Sequence, residues 1–306
     1  MSTYEQRIAN EISHYKALLL DAQVEDGKAL QREIPRVAAY DLAMQLYQPF
    51  ILARMPHANQ DRYVMERLER AGSLRLVSLG CGSGDWEIDL AIRSGGHISC
   101  DLVDLSMELL GAARNVAQER HLAVRTLVQD VNALELEPGS YDFVICRSSL
   151  HHFVELEHVM AEVKRALAPS GEFLVVGEYV GRNGQQLYQR TEQVAGAIFE
   201  ALPERFRLNR YTGQIDRFPP NLDLSRDSFE AVRSEHITPL LFEIFQPVEY
   251  VFLDAFISLL LDFRYGPNYN VNAAEDRAII ERIVTADVEY VRQGTLRPTS
   301  LFGVFR

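Results

Sequence analysis

At 306 residues, 47% hydrophobic and 24% charged, the chain has the make-up of a globular protein able to bury a sizeable core. Its 31 Lys and Arg face 43 Asp and Glu, and the net charge of −12 disfavours a nucleic-acid partner, whose affinity comes mostly from phosphate neutralisation. The N-terminus is polar, and the longest apolar stretch, 251–261, contains Asp254 and is too short to span a bilayer, so a cytoplasmic protein with no membrane partner is expected.

Residues 1–70 carry helical spacing. Ile8, Ile12, Tyr15 and Leu19 recur at three- and four-residue steps, as do Tyr40, Met44 and Tyr47. Pro35, Pro49 and Pro56 divide this region into several helices, either a layer over the core or a lid over a cleft. Residues 71–180 alternate instead between strand and helix. Strands are predicted at 74–79, 97–104, 124–128, 141–146 and 173–176, and helices at 86–93, 107–119 and 156–167. Apolar strands flanked by helices predict an α/β fold with a parallel sheet covered on both faces. Residues 181–306 form a mainly helical insertion, with helices at 185–202, 228–242 and 274–293. Strands at 245–252 and 300–305 are expected to extend the same sheet.

Chemistry concentrates where strands end. The first strand runs into Gly80-Cys81-Gly82-Ser83-Gly84, and a helix follows at once, a turn that lets a ligand approach the backbone and meet free helix amides. Asp104 ends the second strand, where a carboxylate can accept both ribose hydroxyls of a nucleoside-bearing ligand. Asp130, after the third strand, is placed to accept from an adenine amino group or to cap a turn. No Gly-Lys-Ser/Thr sequence follows the glycines, which disfavours a nucleoside triphosphate. The third glycine also comes two residues after the second, which disfavours a nicotinamide or flavin cofactor. Cys81, Cys100 and Cys146 have neither paired nor metal-ligand spacing and read as reduced thiols.

Val77 to Gly84, Leu102 to Ser106, Gln129 to Val131, Tyr141 to Cys146 with Leu150 to Phe153, and Glu162 to Glu172 occur in one order and spacing. On these segments, residues 74–180 resemble a class I S-adenosylmethionine-dependent methyltransferase of the bacterial small-molecule type. The resemblance implies a Rossmann-like, seven-stranded, mostly parallel sheet with an antiparallel last strand, and S-adenosyl-L-methionine as cofactor. It implies that Gly80, Cys81, Gly82 and Gly84 surround the methionyl part, that Asp104 and Leu105 meet the ribose, and that Asp130 and Val131 hold the adenine. Cys146 and Arg147 would line the site at the end of the fourth strand. The position two before Gly80, often acidic in this family, is Ser78, and Asp85 or a residue of the lid is expected to replace the missing charge.

Methyl transfer from a sulfonium needs an in-line nucleophile, and a base only when that nucleophile is protonated and of high pKa. His151 or His152, with Glu178 to orient it, suits O-methylation of a small molecule better than N-methylation. Tyr40, Tyr47, Arg54, Tyr179, Tyr188 and Tyr265 are the substrate-side candidates, and most such tyrosines otherwise serve the core. His14, His57, His97, His121, His158 and His236 lack ligand spacing, so no metal is inferred. A homodimer is compatible with the sequence. A protein or RNA methyltransferase, and a non-catalytic S-adenosylmethionine-binding protein, stay open as alternatives.

Overall fold

Seven strands in the order β3-β2-β1-β4-β5-β7-β6 form one sheet, and the glycine loop leaves its centre. The computed structural model describes residues 3–20, 37–56 and 59–306, with no side-chain description at 14–20. Pro35, His57 and the side chains of His14, Tyr15 and Leu19 lie outside the described residues. Three helices precede the sheet: α1 (Tyr4–Leu20), α2 (Ala38–Leu52) and α3 (Gln60–Ala71). The parallel part then alternates as the sequence predicts: β1 (Leu74–Leu79), α4 (Asp85–Arg93), β2 (Ile98–Asp104), α5 (Met107–Glu119), β3 (Val124–Val128), β4 (Tyr141–Arg147), α6 (Leu156–Ala166) and β5 (Leu167–Tyr179).

Two predicted helices are shorter than their periodicity suggests. The first becomes a 3-10 turn at Asn183–Gln185 and then α7 (Gln189–Glu200), because Gln185 takes a left-handed φ of +56° that a helix does not accommodate. The second starts late, as α8 (Ser234–Ile244), after the chain turns at Ala231 with φ +52°. That turn is tied to the sheet's end by a hydrogen bond from Val232 N to His151 O, 3.1 Å. After it come β6 (Pro247–Leu253), the short α9 (Ile257–Leu261), α10 (Ala274–Arg292) and β7 (Ser300–Phe305). β7 inserts between β5 and β6 and runs antiparallel to both.

Alternation along the strands assigns each side chain to one of two cores. Leu76, Phe143, Ile145 and Leu174 pack with residues of α2, α9 and α10, whereas Val77, Val144, Val175 and Phe173 pack with α6 and α8. Truncating a buried aromatic such as Phe143 to alanine should cost about 3–5 kcal/mol. α2 is therefore a core layer, with Ala39, Leu42, Ala43, Tyr47 and Ile51 buried. Its Tyr47 hydroxyl donates to Asp287 of α10 across 2.9 Å.

Candidate active site

The glycine loop owes its shape to positions where a side chain would not fit. Gly80 has φ +64°, and a Cβ there would come within 2.9 Å of the Ser149 Cβ. The loop can thus press against the segment leaving β4, where Ser149 Oγ donates to Leu79 O at 2.8 Å. Gly82 differs: its φ is +59° and a Cβ would meet nothing within 4 Å, so the loop presents bare backbone to open space. Asp104 holds this loop by accepting from Gly82 N and Ser106 N, each at 2.8 Å. Burial raises its carboxyl pKa, against the pull of these amides. Asp130 caps the following 3-10 turn through Asn132 N at 2.9 Å, and its other oxygen accepts from the Tyr4 hydroxyl of α1 at 2.5 Å.

Ser78 is buried, and its Oγ donates to Glu87 Oε1 at 2.7 Å. Glu87 projects from the first turn of α4 under the loop and is only 2% exposed. Burial raises its carboxyl pKa, with the Arg147 charge opposing. Asp85, expected to replace the missing acid, is exposed and accepts from Ser83 Oγ instead. Glu87 is instead the acid that meets Ser78, and the signal for its burial was its place among Ile88, Leu90 and Ala91 on α4.

Glu178, fully buried on β5, organises the other half of the cleft. It accepts from the backbone amides of Ser149 (3.0 Å), Leu150 (3.0 Å) and His151 (2.9 Å), and from His151 Nδ1 at 2.6 Å. One carboxylate thus caps the turn after β4 and fixes the His151 ring. Glu178 orients His151 only; His152 is served by other acids. Glu11 Oε1 of α1 lies 2.7 Å from His152 Nδ1, though not aligned for a hydrogen bond. Glu230 faces both Nε2 atoms, at 3.3 Å from His151 and 3.6 Å from His152. Burial alone would lower the His151 pKa, but Glu178 and then Glu230 outweigh it and push it up to about 10. Burial raises the Glu230 carboxyl, but His151 chiefly, with His152 and Gln185, holds it down at about 2. Tyr4, Glu11 and Glu230 were not among the sequence candidates, since they reach the cleft from elements remote in the chain.

The remaining candidates divide by position. Leu105 is half-buried and Val131 buried, both beside the acids that precede them. Cys81 is half-buried, and the Cys146 side chain is fully buried among apolar residues, which leaves its backbone to border the cleft. Arg147 is exposed, its guanidinium 4.9 Å from the Trp86 ring centre. Tyr179 meets the His151 ring edge-on at 6.3 Å. Tyr47 and Tyr265, expected to face an acceptor, have no exposed surface and give their hydroxyls to Asp287 and Asp216, because their helical spacing served packing. Tyr40 is half-buried, Arg54 is exposed over the Phe50 ring, and Tyr188 is half-buried under Arg297. None of these three is brought to the histidine pair by a hydrogen bond or ring contact among the described residues.

Open space at Gly82 and half-buried acids at the ends of β2 and β3 fit an adenosine-bearing ligand, and the buried acid under the loop fits a cationic one. Fold and cleft together define a Rossmann-like α/β protein for such a cofactor. Residues 76–171 match the family described as a methyltransferase domain. A ubiquinone biosynthesis O-methyltransferase of Xanthomonas euvesicatoria is 34% identical over 114 residues, 37% of this chain and 46% of that protein. A demethylmenaquinone methyltransferase of Thermus thermophilus is 33% identical over 111 residues, 36% of this chain and 49% of that protein. The solved PH0226 protein from Pyrococcus horikoshii is 29% identical, with a TM-score of 0.31 over 43% of this chain and 60% of that one. The chain spans about half the length of the curated relatives it matches. Residues 76–171 are the core of a class I S-adenosylmethionine-dependent methyltransferase domain, and S-adenosylmethionine is its cofactor. No helix among the described residues is long and apolar enough to cross a membrane.

Proposed function

We propose that this chain methylates a hydroxyl oxygen of a small-molecule acceptor. The observation that carries the reading is the packing of His151 and His152, rings 4.3 Å apart, at the mouth of the strand that borders the glycine loop. A paired imidazole site beside a sulfonium pocket suits an acceptor that must lose a proton. The names of two matched relatives, one for O-methylation in ubiquinone biosynthesis and one for demethylmenaquinone, support a small acceptor.

In this reading Gly80, Cys81, Gly82 and Gly84 surround the methionyl part, Asp104 and Leu105 take the ribose, and Asp130 and Val131 take the adenine. Cys146, through its backbone, and Arg147 flank the site. Glu87, with Ser78, supplies negative charge below the amino-acid end of the ligand. The cofactor, when bound, supplies a methyl group already activated on a sulfonium. His151 stays protonated between Glu178 and Glu230 and stabilises negative charge developing on the acceptor oxygen. His152 Nε2 takes the proton, worth roughly 10²–10⁴ in rate, while Glu178 is a positioning residue. Tyr179 borders the acceptor, and positioning supplies most of the acceleration, up to about 7–11 kcal/mol in favourable cases. Residues 1–70 and 181–306 serve as cover and substrate side around the 71–180 core.

Incubation of the chain with methyl-labelled cofactor, in turn with a small-metabolite extract, an RNA fraction and a protein fraction, tests this. Label should enter the small-metabolite fraction. Tight cofactor binding with label in no fraction would sink the enzyme reading, and label in RNA or protein would sink the small acceptor.

A further inference from the structure

We propose that His151, His152 and Glu230 bind a divalent first-row metal ion, with Glu178 fixing the His151 ring from behind. The proposal deepens, and rests on, the reading of this cleft as an acceptor site.

The two nitrogens of each ring are treated differently. The Nδ1 atoms lie 2.6 Å from Glu178 Oε1 and 2.7 Å from Glu11 Oε1. The Nε2 atoms face the two oxygens of Glu230 at 3.3 and 3.6 Å, outside the range of about 2.7–2.9 Å for a charge-assisted hydrogen bond. The 3.3 Å spacing of His151 Nε2 from Glu230 Oε1 matches the edge, roughly 3.3 Å, of a tetrahedron whose centre lies about 2.0–2.1 Å from nitrogen and oxygen ligands. All ligand atoms of the three side chains lie within 4.8 Å of one another.

Electrostatics points the same way. When His151 Nδ1–H is donated to Glu178, the neutral ring aims its Nε2 lone pair at Glu230. A lone pair facing a carboxylate at this range is repulsive unless a proton or a metal ion stands between them. Three carboxylates surround two imidazoles, and Glu178 has no exposed surface, so solvent does not dissipate the excess negative charge. An acid fixing Nδ1 so that Nε2 faces inward is the arrangement of ligating histidines. Gln185 Nε2 donates to Glu230 Oε1, which steadies the carboxylate and leaves Oε2 free of it. A set of two imidazoles and one carboxylate favours zinc, cobalt, nickel or iron over magnesium or calcium. With the ion bound, both Nε2 lone pairs are ligands, and the ion replaces the His152 base and the protonated His151 of the metal-free reading. With three protein ligands, it keeps a position for the acceptor oxygen and favours that oxygen's deprotonated form.

The test is titration of the chelator-stripped full chain with Co²⁺, followed by the visible absorption that cobalt acquires in a low-symmetry protein site. One ion per chain should bind and be displaced by Zn²⁺. His152→Gln and Glu230→Gln should each weaken binding roughly 10-fold or more. Calorimetry should find the S-adenosylmethionine affinity of both variants unchanged, which shows that they are folded. Absence of a saturable band in the wild-type chain, or equal saturation in both folded variants, overturns the site. Cobalt binding without methyl transfer to any fraction would remove the enzymatic reading and keep the metal site. Methyl transfer without a cobalt band would do the reverse.

Discussion

Ser78 Oγ donates to Glu87 Oε1 across 2.7 Å beneath the glycine loop, so the strand's hydroxyl is joined there to a buried carboxyl from α4. Because burial raises the Glu87 carboxyl, a cationic ligand nearby should draw it toward the ionised form. Binding should then release a proton, and affinity should rise with pH across the weakly acidic range. Calorimetry in buffers of different ionisation enthalpy reads this directly. Glu87→Gln should weaken cofactor binding by about 1–2 kcal/mol and abolish the linkage. Undiminished affinity in that variant would leave Glu87 as packing alone.

His152→Gln should lower kcat by roughly 10²-fold or more while leaving the cofactor dissociation constant unchanged. Glu178→Gln should lower activity by another route, since it loosens three amides and the His151 ring together. Its signature is a lower melting temperature, which His152→Gln lacks. A His152→Gln enzyme with full turnover would remove that residue from the chemistry.

The Tyr4 hydroxyl donates to Asp130 Oδ2 at 2.5 Å, the oxygen an adenine amino group would need. Tyr4→Phe should therefore tighten cofactor binding by about 0.5–1 kcal/mol, as the acid loses a competitor. Equilibrium dialysis with labelled cofactor distinguishes this from weaker binding, the result expected if Tyr4 packs on the bound ligand.

Asp287 is buried beside Asp254, and burial, then the Asp254 charge, push its carboxyl up to about 7. Its folded pKa thus exceeds the unfolded value, so the protonated group contributes stability that is complete below about pH 4 and disappears as pH rises through about 7. Taken alone, this site makes the melting temperature fall between about pH 4 and about pH 7. Asp287→Asn keeps an oxygen for the Ala255 and Phe256 amides and should flatten that fall. An unchanged pH profile in the variant would show that Asp287 stays ionised throughout.

The glycine loop, Asp104 and Asp130 were readable because each sits at a strand end, where local pattern fixes position. The topology also followed, since apolar strands between helices allow few arrangements. Tyr47 and Tyr265 misled because helical spacing says that a residue is buried without saying against what. The carboxylates were hardest. Glu11 comes from α1 and Glu230 from the turn before α8, which Val232 N bonding to His151 O ties to the histidines.

Helix α1 touches both halves of the cleft: Tyr4 meets Asp130, Glu11 meets His152, and Asn10 Nδ2 reaches Asp227 O at 3.0 Å. A segment that meets both sites ties them together, so displacement of α1 would uncover Asp130 and His152 at once.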